Sequence, residues 1–165
     1  IRRLILNDIG PSLTINTVQR FQDKFSNPPT FNKLAAIEEY VRASYAEIGP
    51  IEDVQWSDYV IHSINREPGP SYTLNYDPEV LRAFKPENLW NQYDRIECPV
   101  LVIRGENSTV LDYETAKRMT ECGPMATLVE IENCGHAPSL MIEHQTQLIK
   151  NWLRETEQLD EESEN

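Results

Sequence analysis

Basic residues are scarce in this chain: 15 Lys and Arg stand against 27 Asp and Glu, giving a net charge of −12 over 165 residues. So acidic a surface offers no general attraction to nucleic acid or to anionic lipid, and neither is an expected partner. Long apolar runs are missing as well. Stretches such as 100–103 fall far below the ~20 residues that a membrane span needs. Cysteine is limited to Cys98, Cys122 and Cys134, odd in number and widely spaced. That spacing suits neither a disulfide framework nor a CxxC metal or redox site, so a reducing, cytoplasmic setting is expected. No carboxylate pair, phosphate-cradling glycine loop or His/Cys cluster occurs at a usable spacing, and neither a metal nor an organic cofactor is expected. No basic segment followed by an apolar one opens the chain. It starts at Ile1, directly in strand-like sequence, which reads as a truncation.

What is present is the composition of a globular protein, 39% hydrophobic and 25% charged, and of a length that fills one domain or one piece of one. Six of the acids fall between Glu155 and Asn165, where there is no base, and that end reads as a solvated tail.

Aliphatic Ile1–Leu6 predicts a strand, broken at Gly10-Pro11. Ile15, Val18, Phe21 and Phe25 recur at helical spacing and stop at Pro28-Pro29. Thr30 is a candidate cap for a second helix striped by Phe31, Leu34, Ile37, Val41, Tyr45 and Ile48. A third helix-length segment runs from Glu52 to Ile64 and is closed by Pro68-Gly-Pro70. Ser71–Tyr76 reads as a brief extended segment, and short helical turns follow to about Tyr93. The texture then changes. Pro99–Arg104 and Ala126–Ile131 are apolar runs of the kind buried on both faces of a sheet. Helices at Tyr113–Glu121 and from Ser139 to about Glu157 follow them, which implies parallel strands covered by helices.

In such sheets working residues sit in loops at the carboxyl ends of strands. The loop after the last strand holds Cys134-Gly-His-Ala-Pro138, where an imidazole can serve as general base if a carboxylate holds its other nitrogen. His62 and His144 lie on helices and are weaker candidates.

Pro99-Val-Leu-Val-Ile-Arg-Gly-Glu106, followed by Val129-Glu-Ile-Glu-Asn-Cys-Gly-His-Ala-Pro-Ser-Leu140, resembles the last two strands and the catalytic-histidine loop of the α/β-hydrolases. Ile1–Pro11 is similar to the strand after the nucleophile helix of that family, and the residues that follow match its helical cap. The resemblance implies an α/β fold: the carboxy-terminal part of an α/β-hydrolase parallel sheet with a helical cap insertion. It assigns residues 1–11 and 95–157 to the core, 12–94 to the cap and 158–165 to the acidic tail. It also makes His136 the base of a catalytic triad.

Two departures bear on function. The nucleophile elbow G-x-S-x-G occurs nowhere in the sequence. The positions where the family usually places its acid hold Ser108 and Thr109, which cannot stabilise an imidazolium by charge. Asp8, at the end of the first strand, is the substitute that some family members use. Asp112 is a second candidate, although it suits a helix cap, and Glu106 is a third. Ser139 reads as the N-cap of the last helix and Cys134 as a small buried thiol. Trp56, Tyr59, Trp90 and Tyr93 suit either a substrate pocket or the interior of the cap.

The expected parent is a serine-type hydrolase of small carboxylic esters, lactones or related acyl substrates, its nucleophile half absent here and this chain inactive alone. A catalytically decayed binding or interaction protein is the alternative. The exposed sheet edge is expected either to take the missing amino-terminal half or to self-associate.

Overall fold

The computed structural model describes residues 1–67, 69 and 71–163. Pro68 and Pro70, expected to close the third helix, and the last two residues of the expected tail lie outside the described residues. The chain forms two compact units, one of Ile1–Pro11, Ile48–Ile51 and Leu89–Asn165, the other of Ser12–Glu47 and Glu52–Asn88.

The first unit is built on strands β1 (Leu4–Asn7), β4 (Val100–Gly105) and β5 (Thr127–Ile131). All pair in parallel in the order β1-β4-β5, with Leu6 opposite Val102 and Ile103 opposite Val129. Alternation along β4 explains why this strand lies at the centre. Val100 and Val102 face a core with Trp90, Tyr93, Leu111, Ala116 and Met119. Leu101 and Ile103 face the opposite core, with Ile131, Cys134 and Trp152. Each of these four β4 side chains is buried, at roughly 1.5–3 kcal/mol of hydrophobic stabilisation apiece. Helix α6 (Tyr113–Glu121) supplies Ala116 and Met119 to the first face, and α7 (Glu143–Ser163) supplies Trp152 to the second. The result is a three-layer arrangement whose β1, β4 and β5 loops emerge at one edge.

Trp90 and Tyr93 belong to this unit's core, on the short helix α5 (Trp90–Tyr93), and not to a cap interior or a pocket. Tyr93 is fixed there by its hydroxyl, which donates to the Met119 carbonyl at 2.7 Å. Helix α7 begins four residues later than expected, at Glu143. Leu140 has φ +57, which a right-handed helix does not admit, so Ser139 is no N-cap. At its other end α7 runs on through residues 158–163, so this stretch of the acidic tail continues the helix.

The second unit holds α1 (Ile15–Phe25), α2 (Leu34–Ser44), α3 (Asp53–Ser63) and α4 (Pro78–Ala83), with a hairpin of β2 (Ile64–Glu67) and β3 (Ser71–Leu74). Thr14 caps α1 by accepting from the Thr17 N–H at 3.1 Å. Thr30 caps nothing in α2, because Phe31 is extended and exchanges backbone hydrogen bonds with Tyr72, delaying the helix to Leu34. Ile37, Val41, Val60 and Leu74 form the unit's buried centre. Trp56 and Tyr59 pack edge-to-face in this unit at 5.7 Å.

Candidate active site

Three strand ends make the site, and each turn has a physical reason. Asp8 donates its N–H to the Ile103 carbonyl at 2.7 Å, continuing the ladder, and then turns the chain out of β1 with φ +56. Asp is among the few residues that tolerate this left-handed conformation. At the end of β4, a Cβ on Gly105 would lie 1.9 Å from the Gly135 carbonyl oxygen. Only glycine admits so close an approach of the histidine loop. Backbone bonds then join the two loops: Glu106 N–H donates to Ile131 O at 2.9 Å, and Asn107 N–H donates to Cys134 O at 2.8 Å. The Asn7 amide donates to Pro138 O at 3.0 Å, tying the histidine loop to β1 as well.

These ties bring Asp8 and His136 together from 128 residues apart. His136 Nδ1 lies 2.8 Å from Asp8 Oδ2. Asp8 is wholly buried while the imidazole is 30% exposed, so the carboxylate is shielded from solvent and the ring is partly accessible to it. The carboxylate accepts from three more donors: Gly105 N–H to Oδ1 at 3.0 Å, and Ser108 Oγ–H and Ala137 N–H to Oδ2 at 2.5 and 3.2 Å. A backbone N–H only donates, and an ionised carboxylate only accepts. With the imidazole proton on Nδ1, all four contacts run toward the carboxylate, which accepts at both oxygens. A buried charge with four donors is compensated where a lone one would not be. Ala137, next to His136, also has φ +60, an unfavourable conformation for a non-glycine residue.

The other candidates have different places. Asp112 caps α6, accepting from Thr115 N–H and Oγ1 at 2.8 Å each. Glu106 Oε2 accepts the Asn133 N–H at 3.1 Å, bracing the histidine loop. His62 and His144 are exposed on helices α3 and α7. Cys134 is fully buried, and burial, with the Asp8 charge as a second cause, pushes its thiol up to about 11. It is a poor nucleophile at neutral pH. Among the described residues no group of His, Cys, Asp and Glu side chains could hold a metal ion. Sequence reasoning missed the donors around Asp8. Gly105, Ser108 and Ala137 each lie within a few residues of a glycine or histidine that drew attention, but what they donate to depends on a strand a hundred residues away.

A parallel sheet with helices on both faces, and with a buried carboxylate and an imidazole joined at its carboxyl edge, defines the α/β class to which many hydrolases belong. No protein-family model matches the chain. The chain is 30% identical, over an alignment of 154 residues covering 86% of it and 53% of the other protein, to the 3-hydroxybutyrate-oligomer hydrolase of Cupriavidus necator. Among solved structures, a hydrolase from Rickettsia typhi superposes with TM-score 0.86 at 31% identity, over 94% of this chain and 54% of that one. An α/β-hydrolase from Novosphingobium aromaticivorans superposes with TM-score 0.79 at 24% identity, over 93% and 57%. The chain has the α/β-hydrolase fold, and it spans about half the length of the relatives it matches.

Proposed function

We propose that the chain is the histidine-bearing part of a cytoplasmic serine-type hydrolase acting on small carboxylic esters, lactones or related acyl compounds, with no metal or organic cofactor. The observation that carries this reading is the 2.8 Å contact of His136 Nδ1 with the buried Asp8 carboxylate. With Nδ1 protonated and held, Nε2 is the basic nitrogen. It takes the proton of an attacking serine hydroxyl and returns it to the leaving alcohol, while Asp8 stabilises the imidazolium between the two steps. The serine and the oxyanion donors come from a segment outside these 165 residues, since no G-x-S-x-G occurs within them. Substrate selection is assigned in this reading to helices α1 to α4 of the second unit. The activity in the name of the Cupriavidus relative makes linear hydroxybutyrate oligoesters a suitable first probe.

The proposed partner is a strand along β1, one of the two outer strands of the described three-stranded sheet. An open strand edge favours pairing. The nucleophile-bearing segment fits there, and self-association of the chain is expected where that segment is absent. A binding-only role for a decayed hydrolase was motivated by Ser108 and Thr109 in place of an acid. The charged, fully compensated Asp8 beside His136 weighs against it.

The test is His136→Ala in the full-length protein, assayed on short-chain esters, lactones and hydroxybutyrate oligomers. Loss of turnover with unchanged folding supports the reading. Unchanged turnover sinks it.

A further inference from the structure

We propose that Ser108 is a positioning residue, whose hydroxyl proton is committed to Asp8 and so fixes both the direction and the effective charge that the carboxylate presents to His136. This deepens the catalytic reading above and rests on it.

A serine hydroxyl has one proton to give and two lone pairs to receive with. In Ser108 both lone pairs are taken, by Val110 N–H at 3.1 Å and by Leu111 N–H at 3.2 Å. The remaining direction is toward Asp8 Oδ2, 2.5 Å away. The hydroxyl therefore does not rotate among partners as an exposed serine does. Its bond is of the charge-assisted kind, between two buried groups, where such bonds are strongest.

The loop that aims this hydroxyl is itself anchored to β4. Ser108 N–H donates to Gly105 O at 2.9 Å, and the buried Arg104 guanidinium donates to Leu111 O at 2.8 Å and to Glu106 O at 3.2 Å. Oδ2 is the same oxygen that receives His136 Nδ1. Ser108 and His136 thus compete for one acceptor. Removing the hydroxyl has two separable consequences. The carboxylate loses a guide, which slows the step that needs an aligned imidazole. Its charge also becomes less shared, which strengthens its hold on the protonated imidazole and moves the acidic limb of the pH profile upward. A residue that merely braced the loop would alter stability and leave that limb in place.

The experiment uses the protein as its source cell makes it, with kcat and KM measured against pH for wild type, Ser108→Ala, Ser108→Cys, Ser108→Thr and Asp8→Asn. The low-field proton NMR signal of the His136 Nδ1–H is recorded alongside. For Ser108→Ala we expect kcat to fall about tenfold with KM within about twofold, the acidic limb to move to higher pH, and the Nδ1–H signal to shift or broaden. Ser108→Thr keeps the hydroxyl and restores most of the loss. Ser108→Cys, a weaker donor, falls between. Should the alanine variant not fold, the order threonine above cysteine, with the limb displaced only in cysteine, supports the proposal. Equal turnover and an unmoved limb across the folded Ser108 variants overturn it, and abolition of turnover by Asp8→Asn in the same series leaves the Asp–His reading standing. Unchanged turnover in Asp8→Asn overturns both.

Discussion

The carbonyl oxygen of Gly135 lies 1.9 Å from the point where a side chain on Gly105 would begin. The last residue of the central strand and the first glycine of the histidine loop therefore share a space that admits no carbon atom. The same Gly105 gives its N–H to Asp8 Oδ1. Gly105→Ala must push the loop away from β4 and with it the imidazole from its acid. The expected cost is about 3 kcal/mol of stability, the upper range for forced overpacking. Urea unfolding gives the first quantity, and loss of the low-field Nδ1–H signal of His136 gives the second. A variant with the wild-type midpoint and signal would mean that the loop yields without consequence.

Asp8→Asn separates charge from shape. The amide keeps the size of the carboxylate but turns one acceptor oxygen into a donor, facing donors from Gly105 or from Ser108, His136 and Ala137. Turnover is expected to fall on the order of 10⁴-fold, the scale seen when a triad imidazole is left in the wrong tautomer. Stability is expected to fall by about 2–3 kcal/mol, because buried donors lose a charged acceptor. His136→Ala, at a 30% exposed side chain, should abolish turnover at a smaller stability cost. Ester hydrolysis and denaturant midpoints on the two variants check both halves.

Much of the framework was legible in the sequence because each strand carries its own signal. Val100–Ile103 is apolar at every position, as a strand covered on both faces must be, and Gly105 ends it visibly. The histidine loop was legible through Gly135 and Pro138. The hairpin was not: Ile64 fits the stripe of the preceding helix as well as it fits a strand, and only its register opposite Leu74 decides. Thr30 looked like a cap because its hydroxyl suits one, yet a bridge between Phe31 and Tyr72 outweighs local propensity. Asp8 stood among several acids. Its distance from His136 depends on β1 lying beside β4, which no local pattern states. Ser108 looked like a loss, a neutral residue where an acid was expected. Its hydroxyl becomes meaningful only when Asp8 is placed 2.5 Å away.

Alkaline pH should unfold the sheet unit earlier than its composition suggests. Burial raises the Cys134 thiol from 9.0 to about 11 and the Tyr93 phenol from 10.0 to about 12. Both stay neutral in the folded chain while the unfolded chain releases their protons, so between about pH 9 and 12 the unfolded state binds fewer protons. Stability is then complete below pH 9 and declines as pH rises, through about 11 for the thiol and about 12 for the phenol. Each group accounts for on the order of 2–3 kcal/mol across its window. Urea midpoints at pH 8, 10 and 11 should fall in sequence, and Cys134→Ala should flatten the part between pH 9 and 11. A midpoint level through pH 11 would refute the assignment.

Arg104 supplies the last test, because it distinguishes an ion pair from an anchor. Its guanidinium pairs with Glu130, lies 5.9 Å from the Tyr113 ring centroid, and donates to the carbonyls of Leu111 and Glu106. The Glu130 side chain is 40% exposed, so its contribution is that of a surface pair, about 0–1 kcal/mol, and Glu130→Gln should be nearly silent. The carbonyls are different. They belong to the loop that presents Ser108, and Arg104 reaches them with donors set at fixed angles that a lysine ammonium cannot reproduce. Arg104→Lys keeps the charge and loses the fork. It should cost about 2–3 kcal/mol, the scale of hydrogen bonds from a buried charged donor, and should lower turnover through the loop. Paired denaturation and kinetic measurements on the two variants decide the matter. Equal, small effects would mean that the carbonyl contacts of Arg104 do not hold the loop, whereas a large effect confined to lysine identifies them as what holds the Ser108 loop against β4.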